Sequence, residues 1–378
     1  MGVMNHSPPV WRSILLVGIF FSLLHWAYYV GGPFSDSFSS RVLKPAAFEA
    51  NRSSDIAHKA PEASSVREST NTSDVFNSTL GFEKVIGLNL PDRADKRDNL
   101  SLMSALTGFK ISWVDGVLGP AVPDKAVPFG WDRTQWPEAN LGSWRGHINA
   151  IRSIVEDDLS SALILEDDVD WDVSLKPQLS QFAEAAKTLQ ADFPKSTLHP
   201  DPSPYGQDWD LLWIGACLTR FNREQSEPKV LLRNDPTVAP RHRLGQNDTF
   251  AWDEYPEHSR IVYVPDHDTI CSFAYALSRE GARKALLYLG VEDQPTVFDF
   301  HMSDLCRDKP LGIRCISLVP GLFMHHRPRG RVSHDSDILE FDPEEVREVG
   351  TTENILYSTR LNLRNLIEGR EPQKQWAD

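Results

Sequence analysis

Hydrophobic and polar positions along this chain fall into three regimes. Ile14 to Val30 is a 17-residue apolar run without Asp, Glu, Lys or Arg. Roughly 17 to 25 such residues suffice for a membrane-spanning helix, and this run closes on Trp26, Tyr28 and Tyr29, residues that favour a membrane interface. The expectation is an uncleaved signal anchor over 14–30 with a cytosolic tail over 1–13. Val30-Gly31-Gly32 supplies the alternative, a cleavage site that would release a secreted protein. Residues 31–80 are rich in Ser, Ala, Asn and charge with few periodic apolar positions, which predicts a disordered stem.

From Lys84 the pattern changes. Val85 to Leu90 reads as a short strand, and Leu100, Met103 and Leu106 recur at helical spacing after it. Ile111 to Val114 predicts a second strand, and a Pro-rich stretch to Glu138 a long loop. Trp144, Ile148, Ile151, Ile154 and Val155 share one helical face, with Gly142-Ser143 opening the helix and Ser143 as its N-cap. Ser161 to Leu165 is a continuous apolar strand. Trp209 to Ile214, Thr269 to Leu277 and Ile313 to Val319 read as further strands. Ser278 caps a helix that buries Ala282, Ala285, Leu286 and Leu289 and ends at Gly290. Residues 196–207 and 224–259 read as insertions rich in Pro, charge and turn formers. Strands alternating with helices predict an α/β sheet.

Composition narrows the class. With 378 residues and 40% hydrophobic content there is ample material for a core. A formal charge of -14 argues against a nucleic-acid partner. Acceptor tripeptides begin at Asn51, Asn71, Asn77, Asn99 and Asn247, in keeping with a luminal body. Cys217, Cys271, Cys306 and Cys315 all follow the apolar run, so disulfides are permitted. Four cysteines allow three pairings; Cys306–Cys315 is the pairing expected, with four buried thiols as the alternative.

The most informative chemistry is Glu166-Asp167-Asp168, three carboxylates at the end of an apolar strand. Adjacent buried carboxylates demand a compensating cation or donors. Ligands of open α/β sheets bind at the carboxyl ends of strands, and hard oxygen ligands suit Mg²⁺ or Mn²⁺. A solvated acidic turn is the bland alternative. His325 to Arg331 is a local basic run, read as a late mobile loop in which Arg327 and Arg329 close over a diphosphate and His325, His326 or His334 completes a metal shell. His147 is read as a packed histidine, and Arg93, Asp95 and Lys96 admit a solvated helix face.

Taken in order, Leu88-Asn89-Leu90-Pro91-Asp92-Arg93-Ala94-Asp95-Lys96, then Gly142 to His147, then Leu165 to Val169, resemble glycosyltransferase family 25, the lipopolysaccharide and procollagen galactosyltransferases. Ala274 to Ala282 and Ser336-Asp337-Ile338 extend the likeness, which covers about residues 84–340. The resemblance implies a GT-A-type, Rossmann-like nucleotide-sugar-binding sheet with helices on both faces over 81–340, followed by a C-terminal extension over 341–378. It further implies a UDP-sugar donor, often UDP-galactose, a Mn²⁺ or Mg²⁺ ion, and inversion at the sugar carbon. Asn89 and Arg93 would line the nucleotide pocket, and Asp168 would bind metal with Glu166 and Asp167 orienting metal, ribose or sugar hydroxyls. Asp299 would act as base, with Asp304 as its substitute and an N-cap role as its bland alternative. Gly146 stands where the family often has Ser, which bears on the acceptor more than on donor chemistry. The expected protein is a hexosyltransferase of the Golgi or ER membrane, single-pass with a luminal catalytic domain, acting on a glycan or glycoprotein. A catalytically inactive glycan-binding relative and a metal-dependent phosphohydrolase are the alternatives.

Overall fold

The computed structural model describes residues 72–193, 203–219, 229–245, 252–292 and 296–376. The apolar run 14–30, the tripeptides at Asn51 and Asn247, and Asn71 itself lie outside them. No helix among the described residues is long and apolar enough to cross a membrane.

The elements run β1 (Lys84–Asn89), α1 (Ala94–Leu106), β2 (Ser112–Asp115), α2 (Glu138–Glu156), β3 (Ser161–Glu166), β4 (Val169–Trp171), α3 (Leu175–Leu189), β5 (Leu211–Gly215), β6 (Leu218–Thr219), β7 (Lys229–Leu232), β8 (Arg260–Tyr263), β9 (Thr269–Ile270), β10 (Ala274–Ser278), α4 (Arg279–Leu286), α5 (Phe298–Asp308), β11 (Cys315–Val319) and β12 (Phe323–Arg327). Eight strands form one mixed sheet in the order β2-β1-β3-β10-β5-β11-β8-β7. β1 runs parallel to β2 and β3, whereas β10 lies antiparallel between β3 and β5.

The continuous apolar runs follow from burial on both faces of this sheet. Side chains alternate across a strand, so Leu163 and Leu165 of β3 enter one core while Ala162 and Ile164 enter the other. Leu212 and Ile214 of β5 join the first core, and Leu211 and Trp213 the second. α1 and α3 close the first face; α2, α4 and α5 close the second. The first core reaches back to Val75, within a short 3₁₀ helix, Thr72–Phe76, and to Leu80 after it, both fully buried.

Several local expectations change. α2 begins at Glu138, with Pro137 rather than Ser143 at its N-cap. Gly142 sits inside the helix because a Cβ there would stand 2.3 Å from the Val117 carbonyl oxygen. Its glycine serves close packing, not capping. Ser278 does cap α4, its hydroxyl accepting from the Gly281 amide at 3.0 Å. A Cβ at Gly281 would lie 1.9 Å from the Asp210 carbonyl oxygen, which explains the Gly-Ala helix start. Gly290 falls within a π-turn, Leu287–Val291, that prolongs this helix. The strand expected over Thr269–Leu277 breaks at Cys271, whose φ is 68°, into β9 and β10.

The second insertion contributes structure: β7 is the sheet edge, and Val238, Ala239, Leu244 and Trp252 build a third core against β8. The basic run is not a loop at its start, since His325 to Arg327 belong to β12, which pairs with β4 and with Thr351–Thr352. Buried Phe323 and Met324 hold it there. Behind it, Asp170 accepts hydrogen bonds from Thr352, Ser358 and the Arg360 amide, tying the C-terminal segment to β4. Cys306 pairs with Cys315, as expected, and Cys217 with Cys271.

His301 of α5 supplies a pH test. It is 1% exposed, and neither ring nitrogen has a hydrogen-bond partner among the described residues. Burial pushes its pKa down from 6.5 to about 4. The unfolded imidazole binds a proton that the folded one refuses, so its contribution is complete above pH 6.5 and lost as pH falls through about 4. Between pH 7 and pH 5 the stability due to this residue should drop by about 2 kcal/mol. His301→Phe, compared with the parent by urea unfolding at both values, should remove that part of the acid sensitivity.

Candidate active site

Where β1 and β3 end side by side, Leu88 stands opposite Glu166 in the register. The two strands run in parallel, so their carboxyl ends open on the same side, as in other open α/β sheets. A cleft of about 260 Å³ lies there, lined by Asn89 and Lys96, the Gly116–Pro120 turn, Ser143 and His147 of α2, the three carboxylates, and Ser336 to Ile338.

The carboxylates have separate surroundings. Asp167 receives the Asn89 amide at 2.9 Å and lies 2.9 Å from the Lys96 ammonium. Burial nevertheless pushes its pKa up, against the pull of Lys96. Glu166 accepts from the Ser272 hydroxyl at 2.5 Å and lies 3.3 Å from His147 Nε2, both contacts falling on Oε1. Burial disfavours its charge, but the His147 and Ser272 contacts outweigh it and hold the pKa below the usual value. Asp168 is the outlier. Its Oδ1 is buried without a hydrogen-bond partner among the described residues, as is Asn89 Oδ1. Burial, opposed by Lys96 and reinforced by Glu166 and Asp167, pushes the Asp168 pKa up to about 7.

Lys96 is not on a solvated face. It is 7% exposed, and its ammonium also meets Asp337 at 2.7 Å. Burial would lower its pKa, but Asp168, Asp167 and Asp337 together raise it. The sequence carried the signal: Lys96, Leu100 and Met103 stand at i, i+4 and i+7, the inward stripe of α1. Arg93 grips both oxygens of the same Asp337, at 2.7 and 2.5 Å, and also contacts Asp95. The Ser336–Ile338 wall is thereby latched to the β1–α1 turn.

The other candidates spread outward. Asp299 lies in the first turn of α5, whose N-cap is Val297. Its oxygens accept from the Cys271 amide at 3.0 Å and the Phe300 amide at 2.9 Å. Burial raises its pKa and the Glu166 charge adds to this. Asp304 is held by Arg307 at 2.6 Å, in a cluster with Asp268 and Asp308. His325 packs edge-on against Phe273, and burial with the nearby Arg327 charge pushes its pKa down to about 3. Arg327 lies over the Phe341 ring, and its charge reaches Asp168. Arg329 is exposed. Among the described residues, no three or more His, Cys, Asp or Glu side chains converge as a ready metal-ligand set.

Comparison with known proteins bears on this cleft. Over 166 residues the chain is 25% identical to procollagen galactosyltransferase 1 of Danio rerio, a match covering 40% of the chain and 24% of the relative. It is distantly similar to galactosyltransferases. Procollagen galactosyltransferase 2 of Mus musculus is 22% identical over 171 residues, covering 42% of the chain and 24% of that relative. The matched stretch therefore spans about a quarter of either relative. No family model matches the chain. The similarity points to a glycosyltransferase-like protein.

Proposed function

We propose that this chain is an inverting, family 25-type glycosyltransferase with a GT-A arrangement, moving a hexose, galactose in the first instance, from a UDP-sugar to a glycan or glycoprotein. The observation that carries the reading is the unpartnered Asp168 oxygen, buried at the carboxyl ends of parallel strands beside the Lys96 ammonium. The distant similarity to galactosyltransferases supports it.

Asn89 Oδ1 and Glu166 accept hydroxyl groups of the nucleotide, while Lys96, oriented by Asp167 and Asp337, faces the diphosphate with its remaining N–H. Asp168 Oδ1 and Glu166 fit a hard divalent cation, whose further ligands would be donor oxygens and water. Such an ion supplies neutralisation of the departing diphosphate. Asp299, raised in pKa and anchored by two backbone amides, takes the acceptor hydroxyl's proton. Asp304 is committed to Arg307 and takes no part. The proposal places the protein in the Golgi or ER membrane through the 14–30 anchor.

The test is consumption of each of a panel of UDP-sugars by the full-length chain, with Mn²⁺ or with EDTA. One UDP-sugar should be consumed with release of UDP in the presence of metal, and transfer by Asp299→Asn should fall by about 100-fold or more. Folded protein that neither binds nor consumes any UDP-sugar overturns the reading.

A further inference from the structure

His147 was expected to be a packed histidine, and part of its environment fits that. It is 1% exposed and stacks on Phe298, with ring centroids 4.1 Å apart and an interplanar angle of 6°. Packing does not account for its polar contacts. Nδ1 lies 3.0 Å from the Tyr275 hydroxyl, and Nε2 lies 3.3 Å from Glu166 Oε1. Those two contacts define a tautomer. In the neutral ring Nε2 faces Glu166 Oε1 and the Ser272 hydroxyl, whose own proton goes to Glu166, so Nε2 carries the proton and Nδ1 accepts from Tyr275. Burial raises the Tyr275 pKa, which keeps that hydroxyl protonated and able to donate.

Glu166 Oε1 thus accepts from Ser272 Oγ, in the segment before β10, and faces His147 Nε2 of α2 at 3.3 Å, with Nε2 also 3.5 Å from Ser272 Oγ. Oε2 makes no hydrogen bond among the described residues, and Glu166 lines the cleft. We propose that His147 is a positioning residue: fixed by Tyr275, it holds Glu166 by one oxygen so that the other is presented to the donor nucleotide. The line runs from Tyr275 O–H to His147 Nδ1, through the ring, and from His147 Nε2–H to Glu166. It joins β10, α2 and β3. Its register is set by rigid elements, since Tyr275 pairs with Ile164 across β10 and β3, and Gly146 lets α2 approach β1 closely, a Cβ there standing 3.3 Å from Leu88.

The proposal rests on the nucleotide-sugar reading of the cleft, and the experiment separates the two. UDP affinity by calorimetry, and kcat and KM for the preferred UDP-sugar, are measured on full-length parent, Tyr275→Phe, His147→Gln and His147→Leu. Tyr275→Phe is repeated in a Glu166→Gln background. Loss of one hydrogen bond serving a charged group should weaken UDP binding about 10-fold in Tyr275→Phe, with less than about a twofold effect once Glu166 is Gln. His147→Gln retains a donor near Nε2 and should recover most of the binding that His147→Leu loses. Equal losses in both backgrounds, or a Leu variant no worse than Gln at matched melting temperature, would show a packing residue only and overturn the proposal. A folded parent that binds no UDP overturns the nucleotide-sugar reading and this proposal with it. A parent that binds while the losses simply add overturns this proposal alone.

Discussion

Asp168→Asn is expected to abolish sugar transfer and, at pH 8, to leave the protein more stable than its parent. The two effects share a cause. Asp168 is buried beside two other carboxylates, and burial raises its pKa from 3.8 to about 7. Its folded pKa is above its unfolded one, so the folded state binds more protons between these values. Stability attributable to this group therefore falls as pH rises from about 4 to about 7, and the full penalty is present above 7. That displacement corresponds to roughly 4 kcal/mol, of which an amide, needing its own hydrogen bonds, should recover about 1 to 2 kcal/mol. The same oxygen is the unpartnered acceptor at the cleft, and under the proposed function its charge would be what holds the donor's counter-ion. A fall in transfer of about 1000-fold is expected, the size seen when one preorganised electrostatic group is deleted. Urea unfolding at pH 8 and pH 4.5, alongside transfer assays, checks both halves. The stability gain should shrink toward zero at the lower pH. An Asn variant that transfers sugar at more than a tenth of the parental rate would remove Asp168 from the chemistry.

The sheet and the carboxylate cluster were legible in the sequence because both are local signals. Ser161 to Leu165 reads as a strand buried on both faces, and the acids that follow it must then sit at its carboxyl end. Strand order was not legible: nothing in Ala274 to Ser278 tells that it inserts antiparallel between β3 and β5. The start of α2 was misplaced because Gly142-Ser143 resembles a helix opening, whereas the glycine answers to the Val117 carbonyl of a loop more than twenty residues upstream. β12 was read as a loop for a similar reason. Its His-His-Arg composition looks soluble, and only the pairing with β4 and Thr351–Thr352 explains why it is extended. At the site, contacts between distant segments decided the roles. Lys96 meets Asp337 and Asp167, and His147 meets Glu166 and Tyr275; none of these pairs is adjacent in sequence. The spacing of Lys96 with Leu100 and Met103 was available, and a lysine on an inward stripe is a signal that something negative awaits it.

Lys96→Met should destabilise the fold more than any single change at the cleft's rim and should abolish donor binding as well. Its ammonium lies 2.9 Å from Asp167 and 2.7 Å from Asp337, and its charge is the main relief for Asp168. The three partners differ in what they lose. The Asp167 side chain is only 12% exposed, so water cannot replace the lysine, whereas that of Asp337, at 31%, is better solvated and keeps Arg93. Removing one member of a buried pair leaves an uncompensated charge and typically costs about 3 to 5 kcal/mol. Most of that cost should come from Asp167 and Asp168. The double variant Lys96→Met/Asp167→Asn should therefore regain a substantial part of the stability, while UDP binding stays absent because the ammonium itself is gone. Lys96→Arg keeps the charge but not the compact ammonium, so it should retain more stability than Met and lose donor affinity through misplacement. Urea unfolding and calorimetric titration with UDP on the four proteins read these effects separately. A Met variant within about 1 kcal/mol of the parent would mean that the carboxylates are relieved by something other than Lys96. Recovery of UDP binding in the double variant would mean that Lys96 acts only by neutralising Asp167 and does not face the diphosphate.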